Sequence, residues 1–355
     1  MSILTGHSIK DTYELLATTG SNTFTGDQTI TGSVDITGNV VLPDVLLSNY
    51  TSNQIALDAG IPVGGLYRNG NIIQMATAPQ HPSQSAYTAT VRNLYPSASL
   101  TETWGTYTAN YIKQKSGLDS NDVLYALSIC ADDVDAFTVN GNLGQFPVAM
   151  NSFLGPFMAG GLAGYPFVGS VGFGAFASHI TDTGTLFISC TPHIGITFDG
   201  QAGYQYRKGQ TIASASQTPS TNCGAVHGAV GLVTSDPNPP DITQAPYDNE
   251  NYELWKLADI IYPYSASFSG SVSQNIMAAT AIIADAGFGY IMNNVSAFAP
   301  ALDGRTMYIL GGTFINTDDG FQSYLSPDYF FSYNSATDTY TDYSQDYKDG
   351  LVAQG

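Results

Sequence analysis

Two long apolar runs in the middle of the chain turn polar abruptly at their carboxyl ends. VLYALSICADD (Val123 to Asp133) and TLFISCTPHIGITF (Thr185 to Phe198) lack the strict alternation of a half-exposed strand. Such runs predict buried parallel strands, with the polar residues gathered where the strands end. MYILGGTFINT (Met307 to Thr317) reads as a third strand. QNIMAATAIIADAGF (Gln274 to Phe288) has the length and spacing of a buried helix. SLTETWGTYTANYIKQKSG (Ser99 to Gly117) is also helical in spacing, with Ser99 and Glu102 suited to a capping box and Gly117 to the C-cap. Strands alternating with helical patterns over residues 86–322 predict an α/β domain. Residues 323–355, rich in tyrosine and acids, read as a surface wrap or a partly disordered tail.

The N-terminal part follows a different rule. After a leader of residues 1–20, TGDQTI, TGSVDI and TGNVVL bring back Gly26, Gly32 and Gly38 every sixth residue, with Ile30, Ile36 and Leu42 in phase. One glycine and one apolar position per six residues is a turn-and-strand signature. So short a rung cannot bury its apolar edge alone, so it should stack on the next domain or on copies of itself. The run resembles repeats in phage and virus fibre proteins, which implies a structural, virion-associated role and a trimer through this region. A plain β-rich leader is the alternative. Ala59 to Met75 reads as a hairpin with Asn69-Gly70 at its turn, completing a small all-β appendage of residues 21–82. Ala76 to Ser85 reads as a linker.

Composition narrows the function classes. With 29 acidic against 10 basic residues and a net charge of -19, the chain lacks the basic patch that nucleic acid or an anionic membrane needs. Its start has no basic stretch leading into an apolar run, so no signal peptide is expected. The apolar segment from Phe153 to Phe176 is interrupted repeatedly by glycine and by Pro156 and Pro166. It cannot form a regular membrane helix, and a soluble protein is expected. The 3 cysteines are too few for a disulfide framework and suit a metal site plus one buried thiol.

Candidate chemistry follows from where those residues fall. Cys130 closes the first buried strand, His193 closes the second after Thr191-Pro192, and Cys223 opens the small-residue segment CGAVHGA. Ligands bind at the carboxyl ends of strands in open α/β sheets, so these groups can converge. Two thiolates and an imidazole would leave a fourth tetrahedral position open, the arrangement of a catalytic zinc. Three ordinary buried side chains are the other reading. Cys190 stands three residues from His193, on the opposite side of an extended strand, and reads as a buried thiol.

At these residues a family resemblance becomes specific. CADD (Cys130 to Asp133), GGLAGYPFVGSVGFGAFASHITDTGTLFISCTPHIGI (Gly160 to Ile196, ending in TPHIGI), YRKGQ (Tyr206 to Gln210) and NCGAVHGA (Asn222 to Ala229) resemble, in order, the limiting-CO2-inducible protein B/C family, which includes the theta-class carbonic anhydrases. The resemblance covers residues 95–235 well and implies a beta-carbonic-anhydrase-like sheet flanked by helices. It implies zinc on Cys130, His193 and Cys223, and dimers through the zinc domain. Asp132 and Arg207 would form a catalytic pair, the arginine holding the carboxylate off the metal. The implied reaction is reversible hydration of CO2 to bicarbonate by zinc-bound hydroxide. Phe167, Phe173, Phe176 and His179 would line the substrate pocket, with His179 or His227 as proton carrier. Two readings compete with it: an assembly protein that keeps the zinc fold as a scaffold, and a different zinc hydrolase.

Overall fold

The computed structural model describes residues 66–69, 72–75, 83–131, 157–206, 218–236, 238, 241–244, 249–318 and 321–354. The leader, the six-residue repeat, Asp132 and Arg207 lie outside the described residues. Strands β1 (Leu66–Asn69) and β2 (Ile72–Met75) form an antiparallel hairpin. Asn69 pairs with Ile72, one residue later than a turn centred on Asn69-Gly70 would give.

The main body begins with α1 (Gln84–Leu94), β3 (Ser99–Leu100), α2 (Thr101–Ser116), β4 (Val123–Ser128) and β5 (Phe157–Met158). Then come α3 (Gly169–Ala177), β6 (Thr185–Cys190), β7 (His193–Gly195), β8 (Tyr204–Gln205) and β9 (Ser220–Thr221). Four helices follow: α4 (Gly224–Ser235), α5 (Asn249–Ile261), α6 (Val272–Asn293) and α7 (Ala299–Leu302). The last elements are β10 (Thr306–Asn316), β11 (Tyr324–Asn334), β12 (Thr339–Asp342) and α8 (Ser344–Val352). One mixed sheet runs β12-β11-β10-β6-β4-β5, with β3 on β11 and β7 on β10. Its β10, β6, β4 and β5 are parallel, and β11 and β12 are antiparallel.

The central strands are apolar on both faces because both faces are covered. Leu124 and Ala126, Leu186 and Ile188, and Met307 and Ile309 join one cluster with Phe173, Phe176 and Phe298. Their neighbours Val123, Tyr125, Phe187, Tyr308 and Leu310 join a second cluster with Trp104, Tyr347 and Leu351. The period of two along each strand therefore sorts side chains between two helical layers. A third cluster, at the carboxyl ends of the parallel strands, is built from α4, α5 and α6 with Tyr87 and Val91 of α1. Helix α6 is long and apolar enough to cross a membrane by composition. Its buried residues Ile276, Ala279, Thr280, Ile283, Ala284, Gly287, Phe288 and Ile291 recur at helical spacing and form one stripe, which is how a core helix packs.

Several expectations are corrected here. Ser99 is not a helix cap: it lies in β3, paired with Leu325, and α2 starts at Thr101 with no side-chain cap. Gly117 does end that helix, at φ 78. A capping box exists instead at Ser271 and Gln274 of α6. The end of the expected linker is helical, since Ser83 Oγ caps α1 by accepting from Ala86 N–H at 3.1 Å. The single strand expected over 185–198 is two, because Pro192 has no N–H to give the ladder. Its carbonyl still accepts from Phe314 N–H at 2.9 Å, and β7 resumes beside β10 with His193 opposite Phe314. The stretch from Ser323 is no surface wrap: β11 pairs along β10, and Tyr324, Leu325 and Phe330 are fully buried.

Candidate metal centre

Three elements end at one place. Cys130 lies two residues past β4, and Cys223 is the N-cap of α4. His193 does not close the second strand as expected but opens β7, because the ladder of β6 stops at Cys190 ahead of Pro192. One ligand atom from each lies within 4.8 Å of the others, and all three residues are buried. Tetrahedral zinc, with Zn–S near 2.3 Å, separates its sulfur donors by about 3.8 Å. The three donors therefore need to close by about 1 Å at most. Two thiols and an imidazole are also the donor types zinc prefers, so the residues fit that metal.

The Cys130 side is shaped by a glycine-rich turn. The turn presses against the backbone of Ile129, whose oxygen would be 2.0 Å from a Cβ on Gly160. Ser128 Oγ donates to Gly164 O at 2.8 Å, and Ala131 N–H donates to Gly161 O at 3.1 Å. Between these anchors Ala163 takes a left-handed backbone, φ 55, and its N–H donates to Cys130 Sγ at 3.2 Å. Such a bond suits a thiolate, which is the metal-binding form of cysteine. From α5, Glu253 accepts Leu162 N–H at 2.7 Å and holds the turn from outside.

His193 and Cys223 share a second set of supports. His193 Nδ1 lies 2.6 Å from Asn316 Oδ1 at the end of β10. With Nδ1–H donating to that amide oxygen, Nε2 becomes the ligand atom. Cys223 has φ 56, a left-handed conformation that an L residue adopts only when its surroundings impose it. Asn222, just before it, lies against Gly195, where a Cβ would be 2.5 Å from Asn222 Cβ. Asn222 N–H donates to Gly203 O at 2.9 Å. Its side-chain Nδ2 donates to Gln205 Oε1 at 2.7 Å, and Gln205 Nε2 donates to Thr317 O at 2.7 Å. Next in the chain, the Asp318 carboxylate accepts Phe198 N–H at 2.9 Å and Tyr206 N–H at 2.8 Å. Burial pushes that carboxyl above its ordinary range, and the two N–H donors partly offset the effect.

The remaining candidates fall elsewhere. Cys190 belongs to the cluster under α3 and α6; its thiol faces Gly164 O at 3.9 Å, and burial pushes it up to about 12. Phe167 packs on the cluster that contains Cys130 and Cys223. Phe173 and Phe176 pack in the other one, on Phe298. His179 is exposed, with Nδ1 2.9 Å from Ala175 O and its ring against Phe157. His227 stands one turn into α4, its Nε2 2.8 Å from Gly203 O, and burial lowers its pKa. Asn316, Gln205 and Ala163 contact the candidate ligands or their neighbours, and sequence reasoning missed them. Asn316 carried a faint signal, as a polar residue closing an apolar strand run; Ala163 carried none.

A family model described as limiting CO2-inducible proteins B/C beta carbonic anhydrases matches residues 102–334. A crystal structure of PtLCIB4, a homolog of the limiting CO2-inducible protein LCIB, aligns with a TM-score of 0.57 at 23% identity, covering 72% of this chain and 98% of that one. A histidine-to-alanine variant of PtLCIB4 gives 0.57 at 22% identity, with 73% and 98% covered. At these identities the likeness concerns the fold. No curated protein matches the chain. The matched region spans well over half of the chain and contains all three donors, and on that ground the protein belongs to the limiting CO2-inducible protein B/C family of beta carbonic anhydrases.

Proposed function

We propose that the protein is a zinc-dependent carbonic anhydrase that hydrates CO2 reversibly to bicarbonate. The observation that carries this reading is the convergence of Cys130, His193 and Cys223 within 4.8 Å, inside the region that matches the family. When bound, zinc acts as a Lewis acid that makes water nucleophilic near neutral pH. The chain's own residues do the rest. Ala163 N–H and Asn316 orient two of the ligands. Phe167, on the apolar cluster beside the donors, suits a small neutral substrate and disfavours bulk water. Asp132 and Arg207 form a dyad, the guanidinium keeping the carboxylate from occupying the metal itself and leaving it free to accept a hydrogen bond at the site. Each adjoins an anchored residue: Ala131 N–H is held by Gly161 O and Tyr206 N–H by Asp318.

The test combines metal analysis with stopped-flow hydration of CO2. Purified protein should carry about one zinc per chain, as a single three-ligand site requires, and hydrate CO2 well above the buffer rate. Cys223→Ala should lose both. Zinc-loaded wild-type protein that hydrates CO2 no faster than buffer would refute the catalytic reading while leaving the metal site standing.

A further inference from the structure

Gln205 lies on neither the apolar runs nor the metal-ligand positions, yet it spans the two halves of the site. It is 5% exposed, and both ends of its amide are used. Nε2 donates to Thr317 O, and Oε1 accepts from Asn222 Nδ2, each at 2.7 Å. Thr317 follows Asn316, which holds the His193 imidazole. Asn222 precedes Cys223. We propose that Gln205 is a positioning residue that fixes the approach of Cys223 to the other two donors; the proposal rests on the metal-site reading above.

Three observations support a strut rather than a filler. The left-handed backbone at Cys223 does not sustain itself and needs external contacts. The Asn222 side chain is fully buried, and its Oδ1 has no hydrogen-bond partner among the described residues, so the Nδ2 bond to Gln205 is the polar contact there that orients it. The chemistry at each end is also fixed, since Thr317 O can only accept and Asn222 Nδ2 can only donate. Only a side-chain amide of this length answers both. Glutamate would set a carboxylate against a carbonyl, and methionine would fill the volume but answer neither.

The experiment uses the full chain and measures zinc affinity by competition with a chromophoric chelator. The near-ultraviolet thiolate-to-metal band of the cobalt-substituted protein gives a second readout. Gln205→Met should weaken zinc about 10- to 100-fold, the usual effect of losing a support behind a ligand, and should diminish the cobalt–thiolate band. Asn222→Ala should do the same, and the double variant should be little worse than either single, because both act through one contact. Thr108→Val, which removes a buried hydroxyl bonded to Tyr347, should lower the Tm and leave zinc affinity unchanged. Wild-type zinc affinity in Gln205→Met, or full additivity with Asn222→Ala, overturns the proposal while the metal site stands. Wild-type protein that binds no zinc overturns both.

Discussion

Four described residues other than glycine have positive φ: Ala163, Cys223, Asp303 and Asp338. Aspartate tolerates that region through local hydrogen bonds, whereas alanine and cysteine do not. The strained pair is thus the pair at the candidate metal centre, one donating to the Cys130 sulfur and one supplying a candidate ligand. Gly195 is the residue that lets the second strained segment come close, because a Cβ there would be 2.5 Å from both Asn222 Cβ and Tyr204 O. Gly195→Ala should destabilise the fold by about 1–3 kcal/mol, the usual cost of overpacking. It should also weaken zinc at least about tenfold, as displaced ligand supports do. Urea titration and chelator competition would measure the two effects; wild-type values in both would mean that Asn222 can retreat without moving Cys223. The donors themselves were legible in the sequence, since each stands where an apolar run or a small-residue segment changes character. Their supports were not. Ala163 N–H reaches Cys130 only because Gly161 and Gly164 are pinned across 30-odd residues of chain, and no local pattern encodes such a contact.

At the scale of elements, the parallel strands β4, β6 and β10 followed from their continuous apolar runs, and the helix α6 from its length and spacing. The antiparallel half of the sheet did not. In β11, Pro327 and Asp328 interrupt what would otherwise be an aromatic strand. A proline ordinarily argues against a central strand. Here it sits opposite Gly312, where the β10–β11 register shifts, and the bulge absorbs the missing N–H. Helix α8 then seals that face, with Tyr347 stacked on Phe330 at 4.3 Å between ring centroids and hydrogen-bonded to Thr108. Tyr347→Ala should therefore cost about 3–5 kcal/mol, as loss of a buried aromatic does. A tail lying loosely on the surface would cost almost nothing. Thermal or urea unfolding of that one variant separates the two cases.

At the scale of the whole molecule, 29 acidic residues oppose 10 basic ones. Among the described residues the ion pairs Lys113–Asp119, Lys115–Asp346 and Lys256–Asp259 lie on exposed or half-exposed side chains, where each adds little. Self-repulsion of the negative surface should therefore outweigh them. Raising ionic strength from about 10 mM to about 0.1 M shortens the screening length from about 30 to about 10 Å, and the Tm should rise. A Tm that falls with salt would mean that the ion pairs dominate. The wide spacing of positions 130, 193 and 223 has a practical consequence for handling the protein. In the unfolded chain nothing yet holds these side chains apart or together, and free thiols and imidazoles there compete for the same ion. Zinc present during renaturation would clip the polypeptide into wrong loops before the sheet exists. Recovery should be best when a chelator is present while the chain folds and the metal is supplied only afterwards.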